Sequence, residues 1–250
     1  MTDDPAAREL ERIQSEYRRR DAEGPGPGLG DAAHRAHVED LERELVRAIG
    51  DVGASLAGAS VLDVGAGDGH LLQRMVDLGA AKGAGIELMQ DRVDAAAVRH
   101  PQLDVRLGDA SKLPFADAAF DVVTQFTCLS SVLDPSMRER IAAEMIRVTR
   151  PGGTIVSYDL RPAPLPIRAA GKLVRRVRER RSGAPLWTPV QPLAAGELRR
   201  LFRADDALVR SVSLNVALPA SLRVRPGAAS ALGTLPPLRS HLLLVARKPG

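Results

Sequence analysis

Three carboxylates and a glycine turn are the residues of this chain best placed to do chemistry. Asp63 lies in Val61-Leu-Asp-Val-Gly-Ala-Gly-Asp-Gly-His70, just ahead of glycines at 65, 67 and 69. Glycine reaches backbone angles closed to other residues and lets a ligand approach the main chain closely. The turn joins an apolar run to a helical apolar pattern (Leu71, Leu72, Met75, Val76), so the first N–H groups of a helix face whatever binds there. Glu87, in Gly85-Ile-Glu-Leu88, follows Gly65 by 22 residues, and Asp109 stands in Leu107-Gly-Asp-Ala-Ser111. Acids at the carboxyl ends of strands accept hydrogen bonds from ligand hydroxyl and amino groups, and open α/β sheets bind ligands at that edge. A single acid after a strand is commonly a cap or turn residue. Three in successive strand-end loops, beside G-x-G-x-G, are harder to explain that way.

Spacing narrows the ligand. The dinucleotide fingerprint needs glycine at its first, third and sixth positions, and the sixth position counted from Gly65 is His70. No G-x-x-x-x-G-K-[ST] is present, so a P-loop is excluded as well.

The elements that must position these residues alternate from residue 60 onward. Strands are expected at Val61–Val64, Lys82–Leu88, Leu103–Leu107, Phe120–Phe126 and Thr154–Tyr158. Helices are expected at 70–78, 90–99 and Pro135–Arg150, the last with Ile141, Met145 and Val148 inward. Alternation of this kind implies a mostly parallel sheet covered on both faces. After residue 160 come a proline-rich stretch, a helix at Ala194–Phe202, and strands at Ala207–Leu214 and His241–Ala246. The expected fold is α/β: a Rossmann-like, doubly wound, seven-stranded, mostly parallel sheet with an antiparallel C-terminal edge, plus an N-terminal helical cover. The parts are a cover at 1–50, a core at 51–160, a proline-rich basic insert or lid at 161–192, and a C-terminal helix and strands at 193–250, in one domain. Within the cover, helix 5–20 shows Leu10, Ile13 and Tyr17 on one side, and Gly24-Pro-Gly-Pro-Gly28 separates it from a second helix at 31–50 with the stripe Val38, Leu41, Leu45, Ile49. The first helix reads as a movable cover or a frayed end. Tyr17 faces the ligand or merely pins the helix.

Composition excludes several classes. The 250 residues carry 44% apolar and 26% charged residues, ordinary globular values that allow a sizeable core. Aromatics at 3% do not make nucleic-acid stacking platforms. The single cysteine, Cys128, allows no internal disulfide and no cysteine-based zinc site, and no metal site is expected. No leader pattern and no membrane-length apolar run are visible, so the expectation is a cytoplasmic protein. The net charge is +4, but residues 165–183 hold seven basic groups and one acid, which leaves the rest net negative. That segment is a solvated helix face, a lid for an anionic acceptor, or a peripheral membrane contact that reaches a lipid-linked one. Nucleic acid is not an expected partner.

The motifs together resemble the class I S-adenosylmethionine (SAM) dependent methyltransferases. The glycine turn resembles their motif I. Leu113-Pro-Phe-Ala-Asp-Ala-Ala-Phe-Asp-Val-Val123 resembles the lead into their fourth strand, and Ile146-Arg-Val-Thr-Arg-Pro-Gly-Gly-Thr154 the helix end before the fifth. More narrowly, Gln125–Pro135, Tyr158-Asp-Leu-Arg161 and the closing His241-Leu-Leu-Leu-Val-Ala-Arg247 resemble a bacterial small-molecule subgroup (methyltransferase type 11/25-like) of sugar and natural-product pathways. The resemblance implies SAM as cofactor. Glu87 would then meet the ribose, Asp109 and Ala110 the adenine, and Leu88 belongs to the same cofactor-binding set. Asp63 would meet the amino-acid end directly or through water, beside Gly65, Ala66, Gly67 and Gly69. Gln125 and Tyr17 complete the expected cofactor set.

Methyl transfer to a hydroxyl is helped by a general base. Asp159, after the fifth strand, reads as that base or as a turn residue paired with Arg161. His37 could fold over the site from the N-terminal region. The expected reaction is O-methylation of a small molecule, with N- or C-methylation and a SAM-binding partner subunit without transfer activity as alternatives. Acceptor and oligomeric state are not legible in the residues.

Overall fold

The computed structural model describes residues 4–22, 32–164, 189–214 and 239–250, and within the helix at 32–51 the side chains of 32–38 and 40 lie outside the description. The elements are α1 (Pro5–Ala22), α2 (Ala32–Asp51), β1 (Ser60–Val64), α3 (His70–Asp77), β2 (Lys82–Glu87), α4 (Gln90–Arg99), β3 (Asp104–Leu107), β4 (Phe120–Phe126), α5 (Cys128–Ser131), α6 (Pro135–Val148), β5 (Thr149–Leu160), α7 (Ala195–Phe202), β6 (Leu208–Leu214) and β7 (Arg239–Arg247).

The seven strands form one sheet in the order β3-β2-β1-β4-β5-β7-β6. The first five are parallel to one another, and β7 runs antiparallel between β5 and β6. The expected doubly wound sheet with its antiparallel edge is therefore present. Chain order reverses between β1 and β4, and such a switch point opens a crevice at the carboxyl ends of the strands.

Both faces are buried, as crossover helices require. Alternate residues go to opposite sides. Leu62, Val123, Ile155 and Leu244 join Met137, Ile141, Met145 and Leu198 on one face. Val61, Val122, Val156 and Leu243 join Leu41, Leu45, Leu72 and Met75 on the other. The two N-terminal helices part company across the sheet. Ile13 of α1 packs on the first face, and the stripe of α2 packs on the second.

The largest boundary difference from expectation lies at the junction of α6 and β5. α6 ends at Val148 rather than Arg150, and β5 begins at Thr149, so Pro151-Gly152-Gly153 lies inside the strand instead of stopping the helix. The reason is a register shift opposite Phe120 and Val122. At Gly153 a Cβ would stand 2.8 Å from Arg150 O and 2.9 Å from Asp121 O, so only glycine fits the irregular pairing. The sequence pattern also gives no sign of α5, a single turn between β4 and α6.

Leu244 is fully buried in the middle of β7. Leu244→Ala should cost about 2–5 kcal/mol of unfolding free energy, read from urea denaturation. An unchanged midpoint would show that β7 contributes nothing to the core.

Candidate functional site

Each expected acid emerges from the carboxyl end of a different parallel strand. At the end of β1 the chain turns sharply, with Gly65, Gly67 and Gly69 all at positive φ. The N–H groups of Gly65 and Ala66 both donate to Ile86 O, at 2.8 and 3.0 Å, which ties the turn to β2. A Cβ on Gly67 would meet nothing within 4 Å, so the outer side of the turn is open. Glu87, ending β2, accepts from Gly67 N–H at 2.9 Å and from Met89 N–H at 3.0 Å. Asp109, after β3, accepts from Ser111 N–H and Oγ, both at 2.8 Å.

A second layer lies beneath. Asp63 is buried and accepts from Thr124 Oγ1 at 2.7 Å. Gln125 and Asp159 are fully buried, and the Gln125 amide donates to Asp159 and Ser157. Their oxygens cap α5 from below: Gln125 Oε1 accepts from Cys128 N–H, and Asp159 from Ser130 N–H, each at 2.9 Å. A short helix that starts at Thr127 with positive φ thereby has its first N–H groups satisfied by side chains of β4 and β5.

Above the turn lies a cavity of about 240 Å³. Tyr17, Gly65, Glu87, Leu88, Asp109 and Ala110 line it, as expected of cofactor-binding residues. The structure does not bring the rest of the set to the cavity wall. Asp63, Gln125 and Asp159 lie below the floor. Ala66 is buried, Gly67 opens onto a neighbouring depression beside Asp68 and Arg92, and Gly69 packs near Leu103 and His100. Asp159 is thus placed under the site, without the exposure that contact with an acceptor requires. Its carboxylate meets Gln125 and Ser130, not Arg161, which binds Ser211 Oγ. The side chain of His37 and the basic residues 165–183 lie outside the described residues. The wall also includes residues that the sequence did not single out, Arg20, Arg92, Phe126, Val132 and Met137, and Ile141, which the sequence placed in the core. The helical spacing of Ile141, Met145 and Val148 marked a buried helix face, but nothing local distinguished a cavity wall from core.

Among the described residues, none of Asp63, Glu87, Asp109 and Asp159 is joined to a cation in an ion pair. Burial drives the Asp63 carboxyl up to about 7 against the Thr124 hydrogen bond, with repulsion from Glu87 adding to it. Asp159 rises to about 6, again through burial, opposed by hydrogen bonds from Ser130 and Gln125. The Cys128 thiol is pushed up by burial and by all four carboxylates, so it stays protonated and packs against Gly65. The set of acceptors therefore suits a cationic ligand that also carries hydroxyl and amino groups.

A sheet in this order, with acids at successive strand ends around a glycine turn, defines the class I SAM-dependent methyltransferase architecture. Residues 61–153 match the family model described as "Methyltransferase domain", and this segment is a methyltransferase domain of that class, whose cofactor is SAM. The chain is 37% identical over 114 residues to a demethylmenaquinone methyltransferase of Renibacterium salmoninarum, covering 46% of each chain. It is 31% identical over 163 residues to the 27-O-demethylrifamycin SV methyltransferase of Amycolatopsis mediterranei, covering 59% of each. The chain thus spans about half the length of the curated relatives it matches. A SAM-dependent methyltransferase of Thermotoga maritima shares the fold, with a TM-score of 0.59 at 18% identity over 96% of this chain and 98% of that one.

The buried acids predict a pH dependence. Unfolded, Asp63 titrates near 3.8, and folded near 7. The folded state keeps a proton that the unfolded chain has lost, so stability is greatest below the lower value and falls as pH rises through the upper one. Asp63→Asn should flatten this decline between about pH 4 and pH 7 in urea denaturation. An equal slope in the variant would remove Asp63 as its source.

Proposed function

We propose that the protein transfers the methyl group of SAM to a hydroxyl of a small-molecule acceptor. The observation that carries this reading is the pair of strand-end carboxylates on the cavity wall, Glu87 and Asp109, with Asp63 and Asp159 buried beneath them, all four free of ion pairs among the described residues. Glu87 is suited to the two ribose hydroxyls, and Asp109 with the Ala110 N–H to the adenine edge. Leu88, Met137 and Ile141 offer apolar surface to a ring. The turn from Gly65 through Ala66 and Gly67 to Gly69 gives the amino-acid end close access to the main chain. Asp63 lies beneath that end, and Gln125 holds α5 in place. Tyr17 roofs the cavity from α1.

Bound SAM supplies a methyl carbon already activated by its sulfonium. The chain's own task is to orient the partners and exclude water. α1 does the second, and the acid layer favours a cation next to Cys128. Asp159 serves by fixing α5 from below. His37 is the proposed base for the acceptor hydroxyl. Hydroxyl transfer draws support from the relative named as a 27-O-demethylrifamycin SV methyltransferase. The basic segment 165–183 is proposed to attract an anionic or lipid-linked acceptor. Among the described residues no helix is long and apolar enough to cross a membrane.

Calorimetry should show SAM binding and no NAD binding. Glu87→Ala should weaken SAM by about ten- to a hundredfold, the value of losing charge-assisted hydrogen bonds. Binding of NAD instead would overturn the reading. Incubation of cell extract with labelled SAM should place label on an oxygen of the product, and label on carbon or nitrogen would overturn the hydroxyl assignment.

A further inference from the structure

α1 spans the crevice and is tied down along both edges by different means. On one edge it meets the α5–α6 corner. The buried Glu9 carboxylate accepts from the N–H groups of Leu133 and Asp134, the residues that lead into α6. Arg12 clasps Glu9 with two hydrogen bonds of 2.8 Å and donates to Ser131 O at 2.7 Å. Tyr17 hydroxyl reaches Ser131 Oγ at 3.2 Å. Ser131 Oγ itself donates to Thr127 O, so Tyr17 is the donor. The corner is rigid because buried Arg138 donates to Val132 O at 2.7 Å and pairs with Glu197 of α7 at 3.0 Å.

The opposite edge is looser. Gln14 reaches Leu88 O at 3.4 Å, and Asp21 pairs with Arg92 at 3.4 Å, with both of these side chains partly exposed. Between the edges, Leu10, Ile13, Tyr17 and Arg20 roof the cavity at helical spacing. The cavity beneath them, about 240 Å³, is smaller than the roughly 300–1,000 Å³ of small-molecule sites, so α1 in this position leaves little room for a cofactor and an acceptor together.

We propose that Glu9 is a positioning residue. It pins α1 to the start of α6, and α1 swings about that edge while the Gln14–Asp21 edge opens to admit and release the cofactor. A carboxylate facing the N-terminal end of a helix is held by directed N–H groups and by the helix dipole, so it outlasts an exposed ion pair. Burial opposes the charge on Glu9, but Arg12 and the Leu133 and Asp134 N–H groups keep its carboxyl below the usual range. The pin therefore stays charged at neutral pH. This inference rests on the SAM reading for its ligand, and on the contacts of α1 alone for its geometry.

The test combines hydrogen exchange of the ligand-free protein with dissociation of labelled SAM into an excess of unlabelled SAM. Glu9→Gln should speed exchange across residues 5–22 and raise the SAM dissociation rate by about tenfold, with exchange in the sheet unchanged. Loosening the other edge with Gln14→Ala and Asp21→Ala together should raise association and dissociation rates alike and leave the dissociation constant nearly unchanged. Wild-type exchange in residues 5–22 of Glu9→Gln would overturn the pin. A double variant that changes only dissociation would overturn the opening edge. If the wild-type protein does not bind SAM, the functional proposal fails, and the exchange measurement still decides the role of Glu9.

Discussion

Acids held around and beneath a cavity, none joined to a cation in an ion pair among the described residues, are the constraint around which the rest of the structure is arranged. Taking a carboxylate out of water is costly unless donors are aimed at it. The chain supplies those donors locally: Gly67 and Met89 N–H for Glu87, Ser111 for Asp109, Thr124 for Asp63, and Gln125 with Ser130 for Asp159. These satisfy geometry but not charge. Burial accordingly raises two of the four, Asp63 to about 7 and Asp159 to about 6, and the site gains most from a ligand that brings positive charge.

Sheet topology converts that local chemistry into one site. Each acid leaves its own strand at the same edge because β1, β2, β3, β4 and β5 are parallel. The reversal of chain order between β1 and β4 leaves the crevice into which Gly65 turns and over which α1 lies. The same edge explains the two-layer arrangement. Loop residues and the last residues of strands, such as Glu87 and Phe126, face the cavity, while residues one position further back in β1, β4 and β5 stay beneath it. Asp63, Gln125 and Asp159 belong to the second group, which is why they support the site instead of lining it.

α1 shows how weakly apolar sequence becomes part of a site. By itself the helix carries few large apolar groups: Ile13 joins the core, and polar residues do much of the remaining docking. Glu9 and Arg12 find backbone partners at a helix–helix corner, and Tyr17 takes Ser131 below and the Arg20 and Arg92 guanidinium groups at its ring, each 4.4 Å from the centroid. α2 is held by ordinary packing of Leu41, Leu45, Ala48 and Ile49 on the opposite face.

The sequence by itself determined the alternation of strands and helices, the glycine turn with its acids at 63, 87 and 109, and the antiparallel close. These are local: hydrophobic period, glycine spacing and residues at strand ends register in neighbouring positions of the chain. Tertiary structure decided what faces what. Whether Asp159 meets a ligand or a helix depends on α5, a turn that no periodicity announces, and whether Pro151-Gly152-Gly153 breaks a helix or bends a strand depends on the register against Phe120 and Val122. The burial of Glu9 requires Leu133 and Asp134, more than 120 residues away, to present their N–H groups to it. Contacts at that separation are set by how the crossovers stack their helices on the sheet, a property of the assembled fold and not of any stretch of sequence.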